Sequence, residues 1–116
     1  MYFNSKLLKD GKILSLQISQ LDFTCIDQLQ RDIEKELEES NKKFIILDLA
    51  KVDILDSIAL SGLLSIMKTA NKKDCKIILT QLNSQIERAI QISNLDNIFT
   101  IYKSVEDALS KVSHES

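Results

Sequence analysis

A change of hydrophobic period near residue 20 limits what this chain can fold into. Before it, Leu14, Leu16 and Ile18 alternate with Ser15 and Gln17, the spacing of a strand with one buried face. Residues 2–8 and 12–18 flank Asp10-Gly11, a pair that supplies the positive φ angles of a two-residue hairpin turn, so the two segments are expected to pair antiparallel. Beyond residue 20, short apolar runs alternate with segments whose apolar residues recur at helical spacing.

Thr24 can cap a helix that carries Ile26, Leu29, Ile33 and Leu37 on one face and Arg31, Glu34, Lys35 and Glu38 on the other, with Asp27 at the reciprocal box position. That helix is expected to end near Ser40. Phe44 to Leu49 is too short for a helix and isoleucine-rich enough for a buried strand. A second helix opens at Asp56 or Ser57 and runs to about Asn71, with Leu60, Leu63, Leu64, Met67 and Ala70 inward. Lys76 to Thr80 reads as a strand, Ser84-Gln85-Ile86-Glu87 as a capping box, and Ile98 to Tyr102 as a further strand. Ser104 caps a last helix in which Val105, Ala108, Leu109 and Val112 share a face, followed by a polar tail from about residue 113. Such alternation predicts an α/β architecture, a five-stranded mixed sheet with four helices joined by right-handed crossovers. With no proline and two glycines, no stretch reads as a linker, and residues 1–116 are expected to form one domain.

Composition excludes several functions. Fifteen Lys and Arg against seventeen Asp and Glu give a net charge of -2, without the basic footprint that draws proteins onto nucleic acid. No apolar run approaches the length of a membrane span, and the first twenty residues lack signal-peptide architecture, so a cytoplasmic chain is expected. Cys25 and Cys75 are 50 positions apart beside one histidine, which offers neither a zinc spacing nor a disulfide framework. Both read as core thiols. His114, the third residue from the end of the sequence, is too isolated to activate a serine, and Gly11 and Gly62 make no phosphate cradle. No catalytic group, metal or cofactor is therefore expected.

The residues that carry the most information lie between Leu47 and Gly62. In an open α/β sheet, partners meet the protein beyond the carboxyl ends of the strands, where this segment must sit. Asp56 suits a helix N-cap. Ser57, Ser61, Ser65 and Thr69 recur every fourth residue along one side of the following helix, either as a solvated face or as a docking surface of small side chains. Gly62, inside that helix, costs about 1 kcal/mol relative to alanine and so points to close packing, of helix on sheet or of a partner on the helix.

The order of elements and the blocks Ile45-Ile46-Leu47-Asp48-Leu49 and Val52-Asp53-Ile54-Leu55-Asp56-Ser57-Ile58-Ala59-Leu60 resemble the STAS domain of bacterial anti-sigma-factor antagonists. Similar too are Leu21-Asp22 after the second strand, Ile77-Ile78-Leu79, and Ile92 to Phe99, so the likeness runs from about residue 2 to 112. In that family the helix-opening motif is Asp-Ser followed by Ser or Thr and then Gly-Leu. The hydroxyl two places after Asp is phosphorylated by a serine kinase that is also the anti-sigma factor. Asp56, Ser57 and Leu60 match the motif, whereas the phosphoacceptor position is Ile58 and the glycine is Ala59. Isoleucine has no hydroxyl to accept a phosphoryl group.

The resemblance implies a non-enzymatic module that binds a protein partner, an anti-sigma factor of serine-kinase type, through Asp22, Asp56, Ser57, Ile58, Ser61 and Ser65. Ser57 and Ser61 are the nearby hydroxyls that could substitute as phosphoacceptors. Its alternative is a STAS subunit of a larger assembly, such as a lipid-transport ABC system or a stressosome-like complex. A response-regulator receiver fits the length but would need an acidic pair after its first strand, where this chain has a hairpin.

Overall fold

A computed structural model describes residues 2–39 and 41–115, with side chains through Val112. Strands β1 (Phe3–Leu7) and β2 (Gly11–Leu16) form the antiparallel hairpin, and β3 (Gln20–Leu21) follows. Helix α1 (Ile26–Glu39), β4 (Phe44–Asp48), β5 (Ile54–Leu55), α2 (Ser57–Lys72), β6 (Lys76–Thr80), α3 (Ser84–Ile92), β7 (Thr100–Tyr102) and α4 (Val105–Glu115) complete the order. The main sheet runs β1-β2-β4-β6-β7, antiparallel only at the first pair. The five-stranded mixed sheet with four helices is as the periodicity predicts. Strands β3 and β5 form a separate parallel pair, Gln20 beside Ile54 and Leu21 beside Leu55. The run expected as one strand over 12–18 thus stops at Leu16.

Alternation within β4 divides the interior into two layers. Ile45 and Leu47 face α1, α2 and α3 with Ile26, Leu29, Ile33, Leu63, Ile66 and Ile86, whereas Phe44 and Ile46 face α4 with Ile78 and Ala108. Cys25 and Cys75 are free thiols buried in the first layer. Among the described residues no helix is long and apolar enough to cross a membrane.

Local details depart from the sequence reading for identifiable reasons. Gly11 has a negative φ, and its freedom from a side chain serves space rather than turn conformation: a Cβ there would lie 2.3 Å from the Phe44 ring. The hairpin instead turns through Lys9-Asp10, with the Leu8 N–H donating to the Gly11 carbonyl at 2.8 Å. Asn83, not Ser84, caps α3 by accepting the Ile86 N–H at 2.8 Å. Asp56 is the cap of α2 and Ser104 accepts the Asp107 N–H at 3.0 Å, both as expected. Thr24 does not cap α1; its N–H and hydroxyl both donate to the Asp22 carboxylate, a stronger acceptor two residues earlier.

On α2 the buried arc is Ala59, Leu60, Leu63, Ile66, Met67 and Ala70, and Leu64 is only half-buried at its edge. Helix α1 ends at Glu39, and Ser40 lies outside the described residues. Helix α4 continues to Glu115 past the expected start of a tail, with Ser116 outside the described residues. Helices α2 and α3 each close on a left-handed residue, Asp74 at φ 57° and Asn94 at φ 59°. In each case paired bonds, Cys75 N–H to Ala70 and Leu95 N–H to Ile90 among them, satisfy the last carbonyls.

Candidate functional site

The carboxyl ends of β2, β4 and β6 open onto one surface, and the β3-β5 pair sits across it. Backbone bonds fix this layer: Asp53 N–H and Ile54 N–H donate to the Ser19 carbonyl, and Asp56 N–H donates to Leu21 at 3.2 Å. Asn83 adds a clamp, its amide donating to the carbonyls of Val52 at 3.3 Å and Asp53 at 3.0 Å while its oxygen caps α3. The short pair carries few bonds of its own, so these side-chain ties hold it against the sheet.

Asp56 is the hub. One carboxylate oxygen accepts the Ala59 N–H at 2.7 Å, closing the first turn of α2, and the other accepts the Phe23 N–H at 3.1 Å from the loop before α1. Asp22 shapes that same loop, its carboxylate accepting the Thr24 N–H at 2.9 Å and its carbonyl accepting from Cys25 and Ile26. The structure therefore brings the two predicted acidic positions into one loop cluster, each committed to backbone donors. Two separate tendencies, Asp as cap and Asp as turn former, build a preorganised rim.

Ser57, Ser61 and Ser65 are all exposed along α2 and Thr69 is half-buried, opposite the buried arc. Ile58 is 55% exposed in the first turn of α2. Phe23 at 65% and Ile54 at 52% are exposed beside it, one hydrogen-bonded to Asp56 and the other two residues before it. Sequence reasoning left both out of the site. Phe23 alone carries a signal, a large apolar residue between Asp22 and Thr24, whereas Ile54 is followed by Leu55 and only the fold turns it outward. Asp22 and Asp56 hold the loop that carries Phe23, and Lys51, in the loop between β4 and β5, donates its ammonium to the Gln17 side chain at 2.7 Å. Among the described residues no three His, Cys, Asp or Glu side chains converge to hold a metal ion.

Gly62, on the same helix, shows what its missing side chain is for. A Cβ at this position would lie 2.2 Å from Cγ1 of Ile26, so the glycine lets α1 cross α2 at the inner edge of the site. The close approach is helix on helix, not helix on sheet and not a partner on the helix.

The STAS domain family model matches residues 6–108. The chain belongs to the STAS domain family. It is 34% identical over 110 residues to the TM1081 homolog of Thermotoga neapolitana, whose name places it provisionally among the anti-sigma factor antagonists, covering 95% of this chain and 96% of that one. The crystal structure of TM1081 from Thermotoga maritima superposes with a TM-score of 0.85 at 27% identity, covering 96% of this chain and 94% of that one. The anti-sigma F factor antagonist of Paenibacillus polymyxa is 24% identical over 101 residues, 86% of each chain. This chain is accordingly a STAS domain of the anti-sigma-factor-antagonist type.

Proposed function

We propose that this STAS domain is a non-enzymatic binding module for an anti-sigma factor of serine-kinase type, and that it docks through the first two turns of α2 and the loop before α1. Asp22, Asp56, Ser57, Ile58, Ser61 and Ser65 form the contact surface, with Phe23 and Ile54 extending it. The observation that carries this reading is the exposure of Ile58 beside the α2 cap Asp56, and the motif resemblance makes residue 58 the counterpart of the family's phosphorylated hydroxyl. A phosphoryl group there would bring about two negative charges to a rim that already holds Asp22 and Asp56, which is how such a surface repels a partner. Isoleucine replaces that switch with an apolar contact. Burying its remaining exposed surface in a complex contributes about 1 to 1.5 kcal/mol, and binding becomes indifferent to ATP.

The test uses wild-type protein and Ile58→Ser, each incubated with the serine-kinase anti-sigma factor of the source cells and ATP and followed by intact mass. Wild type is expected to bind without gaining phosphate, and Ile58→Ser to gain one phosphoryl group and lose affinity. Phosphate on wild type at Ser57 or Ser61 would show that the switch has moved along the helix. Failure of both forms to bind or be labelled would favour the assembly-subunit reading, which the absence of a hydroxyl at residue 58 also suits.

A further inference from the structure

The turn that leads into β5 is held from two sides by opposite kinds of group. On the β3 side the Ser19 carbonyl accepts the N–H groups of Asp53, at 2.8 Å, and Ile54, at 3.2 Å. On the α3 side the Asn83 amide donates to the carbonyls of Val52, at 3.3 Å, and Asp53, at 3.0 Å. The backbone donor and the backbone acceptor of Asp53 are therefore both fixed by distant segments. Asn83 can serve here because its side chain carries donors and an acceptor together. While the amide nitrogen holds the turn, the side-chain oxygen caps α3 on the Ile86 N–H at 2.8 Å. Two residues earlier the chain leaves β6 through Gln81 at φ 61°, a conformation that a non-glycine residue keeps only where its surroundings demand it.

The register of β5 gives this clamp a consequence. Strands β3 and β5 pair over two residues, Gln20 beside Ile54 and Leu21 beside Leu55, a ladder too short to specify its own register strongly. Adjacent side chains of a strand face opposite ways, so a slip by one residue exchanges them. Here Ile54 is 52% exposed, whereas Leu55 packs against the core layer beneath. Burying an isoleucine or a leucine is worth nearly the same, so burial by itself discriminates weakly between the two registers. The carbonyls bound by Asn83 belong to the two residues immediately before Ile54, where a fixed turn decides which of the two apolar side chains comes outward.

We propose that Asn83 is a positioning residue for the docking surface: its amide nitrogen, separately from its capping oxygen, keeps Ile54 turned outward for the partner, a role that rests on the docking reading of that surface. Asn83→Ser separates the two tasks, because serine caps a helix well but replaces the two-donor amide by a single short hydroxyl. Asn83→Asp also keeps a capping oxygen and, ionised, has no donor. These variants, Ile54→Ala, and Ile54→Ala combined with each of them are titrated by calorimetry with the purified serine-kinase anti-sigma factor of the source cells, and amide hydrogen exchange is followed on the free proteins. Exchange is expected to quicken at Asp53 and Ile54 and to stay slow at Ile86, and affinity to fall about fivefold, as for one lost hydrogen bond. In the Ile54→Ala background the Asn83 substitutions should change affinity less than about twofold, an outcome that a general loss of stability would not produce. Unchanged exchange at Ile54, unchanged affinity in both Asn83 variants, wild-type affinity in Ile54→Ala, or an undiminished loss in the Ile54→Ala background overturns the proposal and leaves the docking reading standing. Faster exchange at Ile86 in both Asn83 variants makes the clamp inseparable from the cap and equally overturns it. Wild type that does not bind overturns the docking reading, and the proposal with it.

Discussion

Asp56 and Phe23 are joined by a hydrogen bond from the Phe23 backbone N–H to a carboxylate oxygen at 3.1 Å, across 33 positions of sequence. The other oxygen caps α2 on Ala59, so a single side chain ties the entry of one helix to the entry of the next. Asp56→Ala removes both acceptors and is expected to cost about 1 to 2 kcal/mol, the range of a lost N-cap. Asp56→Asn keeps one carbonyl oxygen and should fall between it and wild type. Urea denaturation gives the energies, and faster hydrogen exchange at the amides of Phe23 and Ala59 locates the loss.

Gly62→Ala opposes two effects of different size. Helix propensity favours alanine by about 1 kcal/mol, but the new Cβ would stand 2.2 Å from Cγ1 and 2.8 Å from Cδ1 of Ile26. Overpacking of this kind costs about 1 to 3 kcal/mol, and since Ile26 is buried it has little room to yield. Net destabilisation is expected. In a double-mutant cycle, adding Ile26→Ala should cost less in the Gly62→Ala background than in wild type, because the clash is relieved. Additive costs would show that the two side chains do not compete for the same space.

Burial pushes the Cys75 thiol up to about 11. In the unfolded chain the thiol ionises near its ordinary value of about 8.5, so the neutral form is favoured by folding and the sign follows. Its contribution is intact below pH about 8.5 and declines as pH rises toward the folded value, because the unfolded state then binds fewer protons than the native state. The decline amounts to at most about 3 kcal/mol. Subtracting the stability curve of Cys75→Ala from that of wild type between pH 7 and 11 isolates this term from the ionisation of lysines and tyrosines. Slow alkylation of Cys75 in the native state at pH 8 is the companion result.

Ser61→Arg and Ser65→Arg each place a long cation on an exposed face of α2. Both should leave the melting temperature within about a degree or two, as surface substitutions do, while weakening the proposed complex with a protein partner about tenfold by blocking close approach. Unchanged affinity for both variants would make the hydroxyl stripe a solvated face.

What the sequence by itself determined was the architecture and the cap that opens α2. The change of period at residue 20, the helical spacing of Ile26, Leu29, Ile33 and Leu37, and the isoleucine-rich blocks are consequences of which side chains must leave water, and the structure buries them accordingly. Asp56 was legible as a cap because the donors it satisfies are only three residues away. Tertiary structure decided everything that depends on residues distant in the chain. The β3-β5 pair has two residues in each strand, too few to leave a periodic trace. The second bond of Asp56 to Phe23, the outward exposure of Phe23 and Ile54, and the fit of Gly62 against Ile26 and of Gly11 against Phe44 arise when separate elements meet. A glycine in sequence announces freedom or lack of bulk. Only the fold shows that both glycines serve the second purpose, because close packing depends on which neighbour arrives, and that neighbour is set by the long-range pairing of the whole sheet.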